Sequence, residues 1–467
     1  HTVSIQPMRK SLLTLLVLLV LHTAILVLVS AFAQADSRQH IFLPTVRNAG
    51  LPPVFGIEMA RLNAERGIDL VTSSGIVWVR RNALPWKHIE PERGGGYRWD
   101  HPYVQELEQE IIRASQLGIN LVLVVHGNPA WAVTPYSADC APINPQHYGD
   151  FARFMAAAVE RYSRPPFNLK YWEIANEPDA PISTTDNVFG CWGVEGDPYF
   201  GGRAFGEMLK VVVPAMKAVN REIIVLNGGL LLDAPFVEGR SKDTSGRFFE
   251  GMLVAGAGPL IDIISFHTYI FYQTPGQALL GPPEDWRVAY LRGMLRRYNL
   301  SERPMIRTET ALLCVVITPE CRWAQADLIG RTYARTVRDG LLATIWYIYD
   351  QDGFHNTALI EPYDVWVPRP AYFAYRHTAR MLSAASYVGP IAGLPASAEG
   401  YVFTRGDQTV YVYWTDSSAE VPFAIPVPTG ARVTCTDRDG GPVPCEPDGA
   451  TLTVTAQTSP AFVVVAP

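Results

Sequence analysis

The chain has 467 residues, of which 48% are hydrophobic and 18% charged, enough apolar material for a large buried core and far from a disordered composition. Its formal charge of -6 comes without long acidic or basic runs, which excludes the electrostatic footprint of a nucleic-acid binder or of an anionic membrane surface as partner. Aromatic residues are plentiful, with 11 Trp and 21 Tyr, and suit flat sugar rings as well as an ordinary core.

The first recognisable segment is an address. Met8 to Ala35 has a basic start at Arg9 and Lys10, a long apolar run, and small residues at Ala33 and Ala35 where a signal peptidase would cut. Residues 1–7 read as upstream sequence, and residues 1–35 together as an upstream piece with a secretory signal. The same run is long enough, by the ~20-residue criterion, to serve as an uncleaved anchor. Either way the remainder is expected outside the cytoplasm, secreted or membrane-anchored, with the membrane as partner only if the segment stays attached. A Pro- and Gly-containing linker, residues 36–53, follows.

From about Val54, short β-branched runs alternate with amphipathic stretches. The candidate strands, in order, are VFGIEM, GIVWVRR, INLVLVVHG, LKYWEIANE, EIIVLNGG, IDIISFHTY, PMIRTETAL and ATIWYIYDQ. Helices are expected over Tyr103 to Leu117, Gln146 to Tyr162, Ala204 to Val219, Trp286 to Tyr298 and Ala324 to Asp339. Eight strands with intervening helices predict an α/β chain folded as a (β/α)8 barrel over residues 54–385. An open doubly wound sheet is the competing architecture, and no GxGxxG follows the first strand to support it. Past Ser386 the rhythm becomes strand alternation broken by Gly, Pro and Asp turns, which predicts a small antiparallel β domain over residues 386–467. Without an evident array of exposed aromatics, this domain is expected to be a structural cap on the barrel in preference to a carbohydrate-binding module.

Six cysteines fit an oxidising compartment. The expected pairs are Cys314 with Cys321, Cys435 with Cys445 and, at longer range, Cys140 with Cys191. No CxxC or HxxxH spacing recommends a zinc site, so neither a metal nor a cofactor is expected.

In such a barrel the C-terminal ends of the strands form one open face, so polar residues that end apolar strands converge on a shared site. The third strand ends in His126, the fourth in Asn176 and Glu177, the sixth in His267 and Tyr269, the seventh in Glu309, and the eighth runs through Trp346. Two carboxyls on one rim point to glycosidic bond cleavage, in which one protonates the leaving oxygen and the other captures or stabilises the oxocarbenium-like centre.

WEIANEPD followed by MIRTET resembles the clan A glycoside hydrolases, whose Asn-Glu-Pro glutamate is the acid/base and whose strand-seven glutamate is the nucleophile. The segment WVRRNALPWKHIEPERGGGYRWD, Trp78 to Asp100, the HTY of strand six and the aromatic strand eight agree with that likeness, which covers about Val54 to Ala385. The resemblance implies a retaining enzyme with Glu177 as acid/base and Glu309 as nucleophile. It implies that Asn176 contacts the sugar 2-hydroxyl, that Arg80 and Tyr269 hold Glu309 ionised, that His126 and His267 line the sugar subsite, and that Trp346 forms its floor. Arg81 competes with Arg80 for the strand-two role, and Trp131 or Trp86 with Trp346 for the platform; Glu173 is expected to be structural. The Ile-Glu-Pro segment leans toward family 39 and β-xyloside substrates, while the order of site residues also resembles family 5. The TALLC that follows Glu309 departs from the clan's aromatic and Gly pattern. The expected partner is an oligosaccharide or polysaccharide; the alternative is a catalytically silent, carbohydrate-binding barrel at the cell surface.

Overall fold

The computed structural model describes residues 54–62, 68, 71, 74–133, 140–181, 192–232, 245–272, 284–351, 354–361 and 367–467. The expected signal and linker lie outside these residues. Among the described residues no helix is long and apolar enough to cross a membrane.

Eight parallel strands form one sheet: β1 (Phe55–Glu58), β2 (Trp78–Pro85), β3 (Asn120–His126), β4 (Tyr171–Ile174), β5 (Ile224–Leu226), β6 (Ile264–Phe271), β7 (Met305–Leu313) and β8 (Thr344–Trp346). Their spatial order is β5-β4-β3-β2-β1-β8-β7-β6, and parallel bridges from Leu226 to Ile263 and from Leu230 to Phe266 join the two ends. The sheet therefore closes into the expected barrel. Both faces are covered, which is why the interior of a strand such as NLVLVVH, Leu121 to Val125, is apolar and buried on both sides. Alternation sends Trp78, Val122, Ile306 and Ile345 into a small inner core, and Val79, Leu123, Trp172 and Trp346 into the large layer between sheet and helices.

The five expected helices form over Pro102–Gln116, Tyr148–Tyr162, Gly202–Val219, Glu284–Arg297 and Pro319–Arg338. Ser245–Val254 and Pro370–Leu382 add two longer helices that the sequence pattern did not single out. The second is rich in aromatic residues, which hold helix only weakly on their own. Its Tyr375 is anchored instead by donating to the Gly56 carbonyl at 2.9 Å and by packing on Phe55.

The C-terminal region is antiparallel, as expected. Strands β9 (Ser386–Pro390), β10 (Ala398–Arg405), β11 (Gln408–Thr415), β12 (Val421–Pro426), β13 (Arg432–Thr436), β14 (Thr451–Ala456) and β15 (Ala461–Ala466) make a five-stranded sheet, β13-β15-β11-β10-β9, and a two-stranded one, β12-β14. Phe403, Val412, Trp414 and Phe462 on one face join the barrel's outer core. Tyr413, Val463 and Val465 on the other face pack with Phe423, Ile425 and Leu452. Across the seam, Arg335 reaches both oxygens of Glu399 at 2.9 and 2.6 Å, and Arg438 pairs with Asp327 at 2.7 Å.

Disulfides join Cys314 to Cys321 and Cys435 to Cys445, with Cα separations of 6.1 and 6.0 Å. Cys140 is also disulfide-bonded; Cys191, its expected partner, lies outside the described residues. These bonds fit an extracytoplasmic location.

Candidate active site

Side chains from β1, β2, β4 and the turn after it, β6 and β7 meet around one buried guanidinium. Arg80 is fully buried; its Nε donates to Glu173 at 2.6 Å, its Nη2 to the Asn176 side-chain oxygen at 2.6 Å, and its Nη1 to both Glu58 at 2.7 Å and Glu309. Arg81 has the opposite parity and pairs with Glu110 on the surrounding helix at 2.7 Å. Between the two competing arginines, Arg80 is the one inside.

The Asn-Glu-Pro turn needs unusual backbone. Ala175 and Glu177 have φ of 68° and 50°, in the left-handed region that non-glycine residues seldom occupy. The turn is held by the Glu177 N–H donating to the Gly228 carbonyl at 2.8 Å. Asp179 adds to this by accepting the N–H groups of Leu231 and Leu232 at 2.9 and 3.0 Å. The strain is local to the residue that carries a buried carboxyl.

Glu309 reaches the site through a bulge. The register between β7 and β8 shifts between Arg307 and Thr310, and that between β6 and β7 shifts at Phe266 and His267. Consecutive residues Thr308 and Glu309 thus both face inward: Thr308 donates to Glu173 at 3.1 Å, while Glu309 accepts from Arg80 and from the Tyr269 hydroxyl. Strict alternation would have turned one of them away.

His267 joins the two glutamates. Its Nδ1 lies 2.7 Å from Glu177 Oε1 and 3.5 Å from Glu309 Oε2. Its Nε2 is buried without a hydrogen-bond partner among the described residues and abuts Gly229, where a Cβ would come within 2.3 Å of that nitrogen. Burial, reinforced by the positive charges of Arg80 and Arg287, holds the imidazole well below its ordinary pKa and therefore neutral. One atom each from Glu177, His267 and Glu309 lies within 4.8 Å of the others. A cation could bridge such a spacing, but the positive charge beside Glu309 is already supplied by Arg80, and no ion is assigned.

Burial pushes the Glu309 carboxyl up to about 8; Arg80 and the Tyr269 hydroxyl oppose the rise, while Glu58 and Glu173 add to it. The expected donors to Glu309 are thus in place, yet their effect is outweighed. Burial raises Glu58 as well, against the pull of Arg80. For Arg80 burial disfavours the charge, but Glu173, Glu58 and Glu309 more than offset it and hold the cation firmly.

Trp346 does not meet the others. It is fully buried, faces the helix layer and donates its indole N–H to the Thr357 carbonyl at 2.9 Å. Ile345 belongs to the inner core, so the next inward position along β8 is Tyr347, whose ring lies 6.2 Å from that of Tyr269. Tyr347 is the aromatic presented to the site. Trp86 is fully buried, and the half-buried Trp131 packs edge-on against it and donates its indole N–H to the Glu90 carbonyl at 3.1 Å. His126 is half-buried and lines a small cavity with Asn176 and Trp192, at the edge of the cluster. Glu58 and Tyr347 escaped the sequence reading. Glu58 carried the relevant signal, a carboxyl closing an apolar strand.

No protein-family model and no curated protein matches this chain. Solved structures do. The fold is similar to that of a family 39 glycoside hydrolase from the gut symbiont Bacteroides cellulosilyticus WH2, with 21% identity, 89% of this chain and 81% of the other covered, and a TM-score of 0.67. A family 30 subfamily 8 xylanase from Clostridium acetobutylicum aligns at 13% identity over 90% and 97% of the two chains with a TM-score of 0.63. A monomeric β-xylosidase from Caulobacter crescentus CB15 aligns at 15% over 90% and 98%, with a TM-score of 0.60. The chain has the barrel-plus-β-domain fold of clan A glycoside hydrolases.

Proposed function

We propose that the protein is a secreted, retaining β-glycosidase in which Glu309 is the nucleophile and Glu177 the general acid/base. The observation that carries this reading is the spacing of the two carboxyls, in the turn after β4 and on β7, with atoms within 4.8 Å. Retaining enzymes need about 5 to 5.5 Å between the pair, whereas inverting ones leave about 6.5 to 9.5 Å for a water. Glu309 attacks the anomeric carbon as the glycosidic C–O bond breaks, and the Glu177 proton passes to the leaving oxygen. Water then attacks the glycosyl-enzyme ester and gives its proton back to Glu177, which frees Glu309 and releases a sugar of unchanged anomeric configuration.

The surroundings suit these roles. A neutral His267 with its proton on Nδ1 would donate to Glu177 Oε1 at 2.7 Å and leave the acid proton to the other oxygen. Asn176 is oriented by Arg80 toward the sugar 2-hydroxyl, and Tyr347 replaces Trp346 as the ring beneath the sugar. Because xylan- and β-xyloside-cleaving enzymes share the fold, β-xylosides are the first substrates to try.

The test is hydrolysis of aryl β-xylosides, other aryl β-glycosides and β-linked polysaccharides, with the anomer of the first product read by NMR. Glu309→Gln should lower kcat by at least about 10³-fold. Glu177→Gln should lose about 10²- to 10⁴-fold on substrates with poor leaving groups and much less on activated aryl glycosides, which need no acid. An inverted product, or full activity in either variant, would sink the assignment. N-terminal sequencing of the exported chain should begin near Asp36.

A further inference from the structure

Three carboxyls, Glu58, Glu173 and Glu309, contact the single guanidinium of Arg80, all at least 95% buried by exposures of 5%, 0% and 5%. Ionising all three would leave two uncompensated negative charges in a water-poor space, before Glu177 is considered. The cluster must therefore retain a proton, and where it rests decides whether Glu309 can act as a nucleophile.

The hydrogen-bond donors are unequally shared. Glu309 accepts from Arg80 on Oε1 and from Tyr269 on Oε2, with His267 Nδ1 3.5 Å from the latter. Glu173 accepts from Arg80 Nε at 2.6 Å and from Thr308 at 3.1 Å, one donor to each oxygen. Glu58 accepts only from Arg80 Nη1 on Oε2, at 2.7 Å, and no donor reaches its Oε1 among the described residues. Donors to a carboxylate favour its ionised form, so the carboxyl with fewest donors is the one that keeps a proton most readily. The groups facing Glu58 from the neighbouring elements are Arg80 on β2, Glu173 on β4, Glu309 on β7 and Tyr347 after β8, while Arg81 lends a weaker positive charge from outside the barrel. None of these donates to Oε1.

We propose that Glu58 is a positioning residue for the nucleophile: through the Arg80 Nη1 that both carboxyls share, it holds the cluster's proton on Oε1 and leaves Glu309 ionised. The raised proton affinities of Glu58 and Glu309 then belong to the pair, with donor geometry settling which member is neutral. The proposal deepens the glycosidase reading, on which its catalytic meaning rests.

The experiment is δ-13C carboxyl NMR of the glutamate-labelled chain in a Glu177→Gln background, at neutral pH. Glu58→Gln and Glu309→Gln serve only to identify, by its disappearance, which resonance belongs to which residue. The Glu58 resonance is expected at the protonated position and the Glu309 resonance at the ionised one. The reverse assignment, or both resonances ionised, overturns the proposal, and this readout needs no substrate. If the chain hydrolyses glycosides, the acidic limb of kcat/KM supplies a second test. With a neutral Glu58, Glu58→Gln should leave that limb within about half a pH unit of the parent. A fall of about one unit or more would mean that Glu58 carried the charge and Glu309 the proton. A chain without glycosidase activity but with a protonated Glu58 would reject the function while keeping the proton assignment.

Discussion

Two groups of arginines organise this molecule, and their partners are loaded differently. Inside the barrel Arg80 alone faces Glu58, Glu173 and Glu309; along the seam Arg331, Arg335, Arg338 and Arg438 face Asp416, Glu399, Asp339 and Asp327. Burial raises the proton affinity of a glutamate in both places. Around Arg80 it prevails for the Glu58–Glu309 pair, whereas at Glu399 the Arg335 and Arg338 cations and the Tyr401 hydroxyl overcome it and the carboxyl is held below its usual range. The ratio of cations to carboxyls decides the outcome. A matched set locks two regions together, while a mismatched set keeps a mobile proton where chemistry can use it.

Replacing Arg80 should break the comparison most severely. Arg80→Leu leaves three buried carboxyls without a cation, and urea unfolding at neutral pH should show a loss of about 3 to 5 kcal/mol. Without the cation the folded carboxyls have raised pKa values, so the folded state binds more protons than the unfolded one. The loss should therefore shrink as pH falls toward the unfolded glutamate value of about 4.3, and a deficit independent of pH would count against the charge argument. Arg335→Ala removes both bonds to Glu399 and the guanidinium over Trp414, 5.4 Å from its ring. About 2 kcal/mol should be lost, and here the deficit should not vanish on mild acidification because Glu399 titrates below its usual range.

His377 offers a smaller, pH-dependent test of the seam. Burial lowers it to about 4 from an ordinary 6.5, and its Nε2 meets the Thr436 hydroxyl at 2.8 Å. The unfolded chain takes up this proton first, so stability is complete above 6.5 and declines as pH falls toward about 4. His377→Gln should flatten that slope; an unchanged acid limb would place the titration elsewhere. Asp416→Ala should matter least, under about 1 kcal/mol in the same unfolding assay, because Asp416 is 75% exposed in its pair with Arg331.

Much of the fold was legible because its signals are local. The eight apolar runs, five helices and β-rich C-terminus depend on period and turn chemistry within short windows. The helix Pro370–Leu382 was not, since contacts to Phe55 and Gly56 on β1, more than 300 residues earlier in the chain, stabilise it. At the site, Glu177 and Glu309 stood out as carboxyls closing apolar strands, and Glu58 bore the same mark. Trp346 was misplaced by one residue: an aromatic pair at the end of a strand does not reveal its parity, and β8 turns Tyr347 inward instead.

By itself the sequence determined the barrel, the β region beside it and the identity of the strand-end glutamates, because each follows from spacing along the chain. Only the tertiary structure decided which groups share Arg80, that the β7 bulge turns Thr308 and Glu309 to the same side, and that among the described residues Glu58 receives one donor while Glu309 receives two. Those outcomes rest on distances between strands far apart in the chain. Electrostatics in a buried space depends on such distances, not on order along the sequence.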